Sequence, residues 1–359
     1  MKEYFTHRRT QIVATLEALF DDVAEDLERV NSWGRDAIDR LRGYMEGGKM
    51  IRGALVFLGE ELFQDSRGDN ASRIAAAMEL LQAFLLIHDD IMDRDDLRRG
   101  RPSMHAQYRA LATGEGRALR LGSGEESHLA EALAICVGDI SAFLAVELTA
   151  AIEVPEAVRR RILALLSREI VRTGVAQMQD VYNGYVRGEV EKADILSVYT
   201  YKTGRYTFSL PLMLGALLAG RGEEDVLTTL GEIGERLGRI FQIRDDQLGL
   251  FGTAEEIGKP VGSDVSEDKK TVVRALLFER ANPEERSELQ GYFGSHDIGE
   301  NEIARIRQIA EERGVLSRLR EEIAREDDAV RRAIASLSLR ARGEELLIEL
   351  SEFNRRRSS

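Results

Sequence analysis

The sequence predicts an all-α protein, a large antiparallel helical bundle, and three observations carry that expectation. Ala, Leu, Glu and Arg, all strong helix formers, dominate the composition. Only five prolines occur in 359 residues, so long helices can run uninterrupted. Apolar residues recur at helical spacing along most of the chain. A hydrophobic content of 43% is ample for a large core, and no Pro/Ser-rich linker divides the chain, so residues 1–359 read as one domain.

The elements follow in order. Residues 10–30 form an amphipathic helix with Ile12, Leu16, Leu19 and Val23 on its apolar face. A helix over 34–46 closes at Gly47-Gly48, and helices at 51–63 and 69–92 follow, the latter strongly apolar. The glycine-rich stretch from Thr113 to Gly124 is a loop. Ser123, with Glu126 three residues on, makes a capping box for a helix over 124–152. Pro155 opens a helix to about 181, and further helices cover 191–202, 205–219 and 223–250, with Lys202-Thr203-Gly204 ending the first of these. Gly252 to Asp268 is a loop. Asn282-Pro283-Glu284-Glu285 starts a helix, Asn as cap and Pro in the first turn. The charged tail, 299–355, is helical and peripheral. In such a bundle a site is built between facing helices, around a central apolar cavity.

Composition narrows the function. Net charge is −13 and no basic stripe is evident, which disfavours nucleic acid as a partner. The single cysteine, Cys136, excludes an internal disulfide and a thiolate metal cluster, and its apolar surroundings place it in the core. The start, Met1 to His7, lacks the apolar stretch of a signal peptide. No window reaches about 18 uninterrupted apolar residues, so no membrane span is expected and the expected location is cytoplasmic.

Two Asp-Asp pairs stand inside apolar helical stretches, Asp89-Asp90 after Phe84-Leu85-Leu86-Ile87-His88, and Asp245-Asp246 after Ile240-Phe241-Gln242-Ile243-Arg244. Buried charge needs a counter-charge or a metal. Asp21-Asp22 and Asp327-Asp328, in highly charged surroundings, read instead as solvated helix faces, and Asp95-Asp96 as part of a charged turn. Asp89 and Asp93, four residues apart, share a helix face and can bridge a hard cation such as Mg²⁺, leaving positions for water and phosphate oxygens. Asp245 and Asp246 offer opposing ligands 156 residues further on.

Short basic sets supply counter-charges for an anion. Lys49 and Arg52 lie at a helix start, where free backbone N–H groups favour phosphate. Arg98-Arg99 follows the first acidic set, and arginine grips phosphate bidentately. Lys202-Thr203-Gly204 and the loop Gly258-Lys259-Pro260-Val261-Gly262-Ser263-Asp264 complete the series.

Taken in order, these motifs, with Gly138-Asp139, Ala176-Gln177-Met178-Gln179-Asp180 and Phe241-Gln242 among them, resemble the trans-isoprenyl diphosphate synthases of the polyprenyl synthetase family, over about 40–271. The resemblance implies the isoprenoid synthase type of bundle and a transferase reaction. Isopentenyl diphosphate would be condensed with an allylic diphosphate, and the product would be a short-chain isoprenyl diphosphate, geranylgeranyl before farnesyl. It implies that Asp89, Asp93 and Asp245 hold three Mg²⁺, with Asp90, Asp246 and Asp264 in support. Arg98, Lys202, Thr203, Gln242, Lys259 and Lys269 would grip the allylic diphosphate, and Lys49, Arg52, Gln82 and Arg99 isopentenyl diphosphate. Gln177 and Asp180 match a polar pair on the cavity wall. Arg355-Arg356-Arg357 resembles basic tails that close over isopentenyl diphosphate. A homodimer is implied as well.

Phe84 lies five residues before Asp89, about 7.5 Å deeper along a helix, where an aromatic ring can stop a growing tail. With Leu81 and Leu85 it forms the apolar wall that keeps water from an allylic cation. In the family, an aromatic there without one at Leu85 resembles the geranylgeranyl type. Two positions depart from the pattern. Gly249 stands where a third acid is usual, so less ligand redundancy is expected, and Gln82 stands where His is frequent. A class I terpene cyclase and a non-catalytic subunit of a hetero-oligomeric prenyl synthase are the competing readings. Lys49, Arg52 and Arg99 speak against a cyclase, which has no second diphosphate to hold.

Overall fold

The computed structural model describes residues 1–65, 68–113, 124–252, 262–295 and 297–356. Helices α1 (Lys2–Glu28), α2 (Ser32–Met45), α3 (Ile51–Glu61) and α4 (Asp69–Asp93) lead to a short hairpin, β1 (Leu97–Arg98) and β2 (Arg101–Pro102). Then come α5 (Met104–Thr113), α6 (Glu125–Ala150), α7 (Glu156–Tyr185) and α8 (Lys192–Val198). A π-helix (Tyr199–Ser209) continues directly into α9 (Leu210–Leu218), and α10 (Glu224–Phe251) follows. After α10 the order is α11 (Ser263–Ser266), α12 (Val272–Arg280), α13 (Pro283–Tyr292), α14 (Glu300–Glu312), α15 (Val315–Ala335) and α16 (Ala341–Arg356). The all-α expectation holds.

The central helices are buried on nearly every side. Leu55, Val56 and Leu58 of α3, Ala75, Ala76, Ala77 and Met78 of α4, and Leu212 and Leu214 of α9 have no exposure. Helix α1 starts earlier than its periodicity suggested because Phe5 joins the buried stripe of Ile12, Leu16, Phe20 and Ala24. The Asn282 cap forms as expected, and with Glu285 it closes a full capping box, both bonds at 2.9 Å. At α6 the cap is Gly124, without a side-chain bond; Ser123 lies outside the described residues. Glu125 and Glu126 in the first turn meet the positive end of the helix dipole instead.

Five expectations are corrected. Lys202-Thr203-Gly204 does not end a helix; the π-helix runs through it. The reason is contact: a Cβ on Gly238 of α10 would lie 2.1 Å from Gly204 Cα, so the two backbones touch and the glycine serves close approach, not termination. The C-terminal region is not peripheral, since Val330, Ile334, Leu346, Leu347 and Leu350 pack with Leu230, Ile233 and Leu237 of α10 in one cluster. Asp327 is not solvated: it is buried, accepting from Ser351 Oγ at 2.6 Å, Arg331 Nε at 3.2 Å and Arg355 Nη1 at 3.3 Å, and so ties α15 to α16. Cys136 is exposed, because it falls on the outer face of α6. The stretch from Gly252 to Asp268, read as loop, contains the short helix α11, with 253–261 outside the described residues.

Helix α6 is long and apolar enough to cross a membrane by length and composition, with a mean hydropathy of 1.9 over its window. A run of uninterrupted apolar residues misses it because isolated polar residues such as Ser141 interrupt the sequence. Its inner face, with Ala130, Ala134, Val137 and Leu144, packs in the same core cluster as α4 and α5 residues.

Replacing Gly238 by Ala should force the π-helix off α10 and destabilise the protein by about 3 kcal/mol. Gly43→Ala, in α2 with nothing within 4 Å of the new methyl, should instead be neutral or stabilising by about 0.5 kcal/mol. Urea unfolding of both variants measures the contrast.

Candidate active site

The two acidic pairs are built alike. At the end of α4, Asp90 is fully buried; its Oδ2 accepts from Tyr44 Oη at 2.8 Å and its Oδ1 from Arg98 Nε at 2.7 Å. At the end of α10, Asp246 is buried; its Oδ2 accepts from Tyr199 Oη and its Oδ1 from Gln242 Nε2 at 3.2 Å. Both oxygens of each inner acid are therefore engaged. Successive helix residues are about 100° apart, so Asp89 and Asp245 point elsewhere and remain partly exposed.

The π-helix lies between these pairs. Lys202 Nζ donates to Asp89 Oδ1 at 3.3 Å and to Asp180 Oδ2 at 2.6 Å. Its neighbour Thr203 donates to Gln242 Oε1 at 3.2 Å. Gln177 Nε2 of α7 donates to Asp89 Oδ1 at 2.7 Å. Adjacent residues of one helical turn thus reach both acidic motifs, which brings the motifs together at one site. Arg205 fixes this helix to α7 through a bidentate bond to buried Glu169, at 2.7 and 2.8 Å.

Electrostatics follow from crowding. Asp93 is exposed at the end of α4, yet partial desolvation, then the charge of Asp89, pushes its carboxyl up to about 6. Burial raises Asp246 to about 7 against the pull of its Tyr199 and Gln242 hydrogen bonds. Burial works to lower Lys202, but Asp89 and Asp180 outweigh it and hold the ammonium above its ordinary range. Lys269 is likewise raised by Asp264 and Glu267, against burial. Asp264 accepts from Lys269 at 3.2 Å. A Cβ on Gly249 would meet Asp264 Oδ2 at 2.4 Å, so the carboxylate of Asp264 occupies the space that a side chain at 249 would need. Lys259 lies outside the described residues.

Arg98 and Arg99 serve different places. The β1–β2 turn has positive φ at Arg99 (54°) and Gly100 (74°), the signature of a two-residue hairpin. Arg98 folds back on Asp90, while Arg99 faces a cavity lined by Tyr44, Gly48, Met50, Glu79, Gln82 and Leu86. Just beyond, half-buried Arg52 stacks over the Tyr206 ring at 4.8 Å and donates to Thr207 Oγ1 at 2.7 Å. Arg52 Nε, Gln82 Oε1 and Tyr206 Oη are buried and make no hydrogen bond. Orphaned buried polar atoms are a mark of a binding site. Lys49 sits at the start of α3, next to Met50 of the cavity wall.

On the apolar side, Phe84 and Leu85 are partly buried and Leu81 is buried in the core. The Phe84 ring stands edge-on to His88, centroids 4.7 Å apart. Sequence reasoning missed Tyr44, Tyr199, Glu79, Tyr206, Thr207 and His88. All but Tyr44 lie on helices that carry motif residues; what the sequence gave no sign of is that the hydroxyls of Tyr44 and Tyr199 meet Asp90 and Asp246.

The donor set suits a hard divalent cation: carboxylate oxygens from two helices, with the inner acids held still. No group of three His, Cys, Asp or Glu gathers into a ready cage among the described residues. That agrees with Mg²⁺ chemistry, where one or two carboxylates act together with phosphate oxygens and water.

A model of the polyprenyl synthetase family matches residues 36–311. The chain is 30% identical to the geranylgeranyl diphosphate synthase of Sulfolobus acidocaldarius over 262 residues, 72% of either chain. It is 32% identical to the short chain isoprenyl diphosphate synthase of Methanothermobacter thermautotrophicus, covering 70% of this chain and 69% of that one. Among solved structures, geranylgeranyl pyrophosphate synthase from Corynebacterium glutamicum, complexed with isoprenyl diphosphate and magnesium, superposes with a TM-score of 0.85 at 27% identity, covering 99% of both chains.

The raised carboxyls give a pH prediction. An acid lifted above its ordinary value keeps its proton in the metal-free fold at a pH where the unfolded chain has lost it. The contribution of Asp93 to stability therefore falls as pH rises from about 4 through about 6, and that of Asp246 from about 4 through about 7. A divalent cation needs the ionised form, so binding near pH 6 should release protons and weaken as pH falls. Calorimetry of Mn²⁺ and pyrophosphate binding in buffers of different ionisation enthalpy measures the release, which should shrink in Asp93→Asn.

Proposed function

The chain belongs to the polyprenyl synthetase family, and on that footing we propose that it joins isopentenyl diphosphate to an allylic diphosphate and releases a short-chain isoprenyl diphosphate, geranylgeranyl diphosphate foremost. The observation that carries this reading is the pairing of two unlike anion stations. One is the acidic cleft in which Lys202 and Thr203 reach both Asp motifs. The other is the cavity beside Arg99, Gln82 and Arg52. A terpene cyclase has no use for the second station. A non-catalytic subunit has no need of intact Asp89, Asp93 and Asp245.

In this reading the allylic diphosphate lies at Asp89, Asp93 and Asp245, gripped by Arg98, Lys202, Thr203, Gln242, Lys259 and Lys269. Three bound Mg²⁺ would neutralise the pyrophosphate and make it a better leaving group. The magnesium in the Corynebacterium complex supports that choice of metal. Lys202 and Lys269 keep their protons and hold positive charge where the leaving group gathers negative charge. Lys49, Arg52, Gln82 and Arg99 hold isopentenyl diphosphate so that its double bond meets the allylic carbon. Phe84, Leu85 and Leu81 exclude water from the cation. The departing pyrophosphate takes the proton lost at the end.

The Phe84–His88 pair supports a stop at twenty carbons, since Phe84 is braced from one side. A homodimer is supported by an exposed apolar stripe. Val171, Val175, Met178, Tyr182 and Tyr185 on α7 are each more than 60% exposed, at 67, 62, 72, 66 and 75%, and Phe143 on α6 is 74% exposed. Their spacing of four and three residues makes one continuous face. It lies on the helix whose other side presents Gln177 and Asp180, so a partner chain would stiffen the site from behind. Val175→Glu with Phe143→Glu should leave a monomer in sedimentation; an unchanged mass removes this interface.

The deciding assay is purified protein with Mg²⁺, isopentenyl diphosphate and each allylic primer, the products read by mass spectrometry. Elongation to twenty carbons is expected. Cyclised hydrocarbon would point to a cyclase, and no turnover to a subunit. Asp89→Ala or Asp93→Ala should lower turnover by roughly a hundredfold or more with the fold intact. Phe84→Ala should lengthen the product, and an unchanged distribution would remove its role as a stop.

A further inference from the structure

Each acidic pair relies on a tyrosine that no motif contains. Tyr44 ties α2 to Asp90 of α4. Tyr199, at the start of the π-helix and only 5% exposed, ties that helix to Asp246 of α10. Its hydroxyl also accepts the Val272 backbone N–H, at 3.0 Å. A phenol has one proton. With Val272 donating to the oxygen, that proton goes to Asp246.

Three segments meet at this one oxygen. The π-helix continues within four residues to Lys202 and Thr203. Helix α10 contributes Gln242, Asp245 and Asp246. Val272 opens α12, three residues after Lys269, which is paired with Asp264 at 3.2 Å. A buried tyrosine that only filled the core would need one partner; this one has a donor and an acceptor from two different elements.

We infer that Tyr199 is a positioning residue for the second acidic pair: its hydroxyl holds Asp246 inward, which turns Asp245 to the cleft, and it registers both Lys202 and the Asp264–Lys269 segment to that pair. The inference rests on the reading of the pairs as a metal–diphosphate site. Tyr199 acts through its two partners, Asp246 and the Val272 N–H.

Tyr199→Phe keeps the ring and removes the oxygen. Free Mn²⁺, followed by electron paramagnetic resonance in the presence of inorganic pyrophosphate, should show binding weakened about tenfold. The Mg²⁺ concentration for half-maximal activity should rise by a similar factor. KM for isopentenyl diphosphate should stay within twofold, because the groups proposed to hold it, Lys49, Arg52, Gln82 and Arg99, lie at the start of α3, on α3 and α4, and on the hairpin, and none bonds to Tyr199. A lower melting temperature with unchanged Mn²⁺ affinity overturns the inference.

Should that variant not fold, Val272→Pro tests the same oxygen from its other side. Val272 is the first helical residue after the Thr271 cap, where proline is tolerated, and Thr271 is already extended at φ −103°, ψ 161°. Losing its N–H should weaken Mn²⁺ binding about threefold; full retention counts against Tyr199. Asp245→Asn separates the two levels. If it weakens Mn²⁺ binding while Tyr199→Phe does not, the positioning role alone falls. If Asp245→Asn has no effect, the metal reading itself falls.

Discussion

A carboxylate held inside an apolar bundle is the constraint around which the site is arranged. Asp90 and Asp246 sit at the ends of long helices whose other residues are largely hydrophobic, and an unpaired charge there would cost several kcal/mol. The fold answers twice in the same way, with one tyrosine hydroxyl and one nitrogen donor per acid: Tyr44 and Arg98 for the first, Tyr199 and Gln242 for the second. Once both oxygens are engaged the inner acid cannot rotate. Its neighbour on the helix then has its direction fixed by helical geometry. The buried acid is thus how the outer acid is aimed.

The π-helix is the element that makes these separate solutions into one site. Between Tyr199 and Thr207 it meets α10 and α12 through Tyr199, α4 and α7 through Lys202, α10 again through Thr203, α7 through Arg205 and α3 through Arg52 on Thr207. An α-helix would gather residues 199, 203 and 206 on one face. The wider π turn spreads them, and such turns concentrate at functional sites. The arrangement depends on the backbone contact of Gly204 with Gly238, which seats the helix against α10.

Long helices and the order of motifs were legible in the sequence because both are local. Helical periodicity needs only neighbours within a turn or two, and the acidic and basic sets announce themselves by being out of place. What stayed hidden is non-local. Nothing near Tyr44 or Tyr199 in sequence says that their hydroxyls meet Asp90 and Asp246, 46 and 47 residues away. Asp327 looked solvated because its sequence neighbours are charged, yet Ser351 and Arg355 bury it from another helix. That same contact engages Arg355, which the sequence suggested for substrate closure. Cys136 was placed in the core by apolar neighbours, but α6 is apolar on both faces: Ala134 and Val137 turn inward while Ile135 and Cys136 turn out. Gly204 was read as a helix end because glycine usually is one; here its lack of a side chain serves packing.

The charge balance of the two stations also says which diphosphate needs a metal. The cleft gathers Asp89, Asp93 and Asp180 around Lys202, and Arg98 is already paired to Asp90. A diphosphate entering that acid excess is repelled until divalent cations reverse the sign. The second cavity has the opposite balance. Arg99 lines it, with Arg52 just beyond, and the one acid in its lining, Glu79, is pushed by burial toward its neutral form. A diphosphate can settle there on cations and amide donors alone. The split is enforced by the hairpin: Arg98 turns inward to a buried carboxylate. Arg99 takes a left-handed conformation, at a cost of about 1 kcal/mol, to lie against Gly48, whose absent side chain leaves room for it. In the proposed reaction two adjacent arginines thereby divide the metal-assisted station of the allylic diphosphate from that of isopentenyl diphosphate, whose C–O bond stays intact because its cleavage would give no allylic cation.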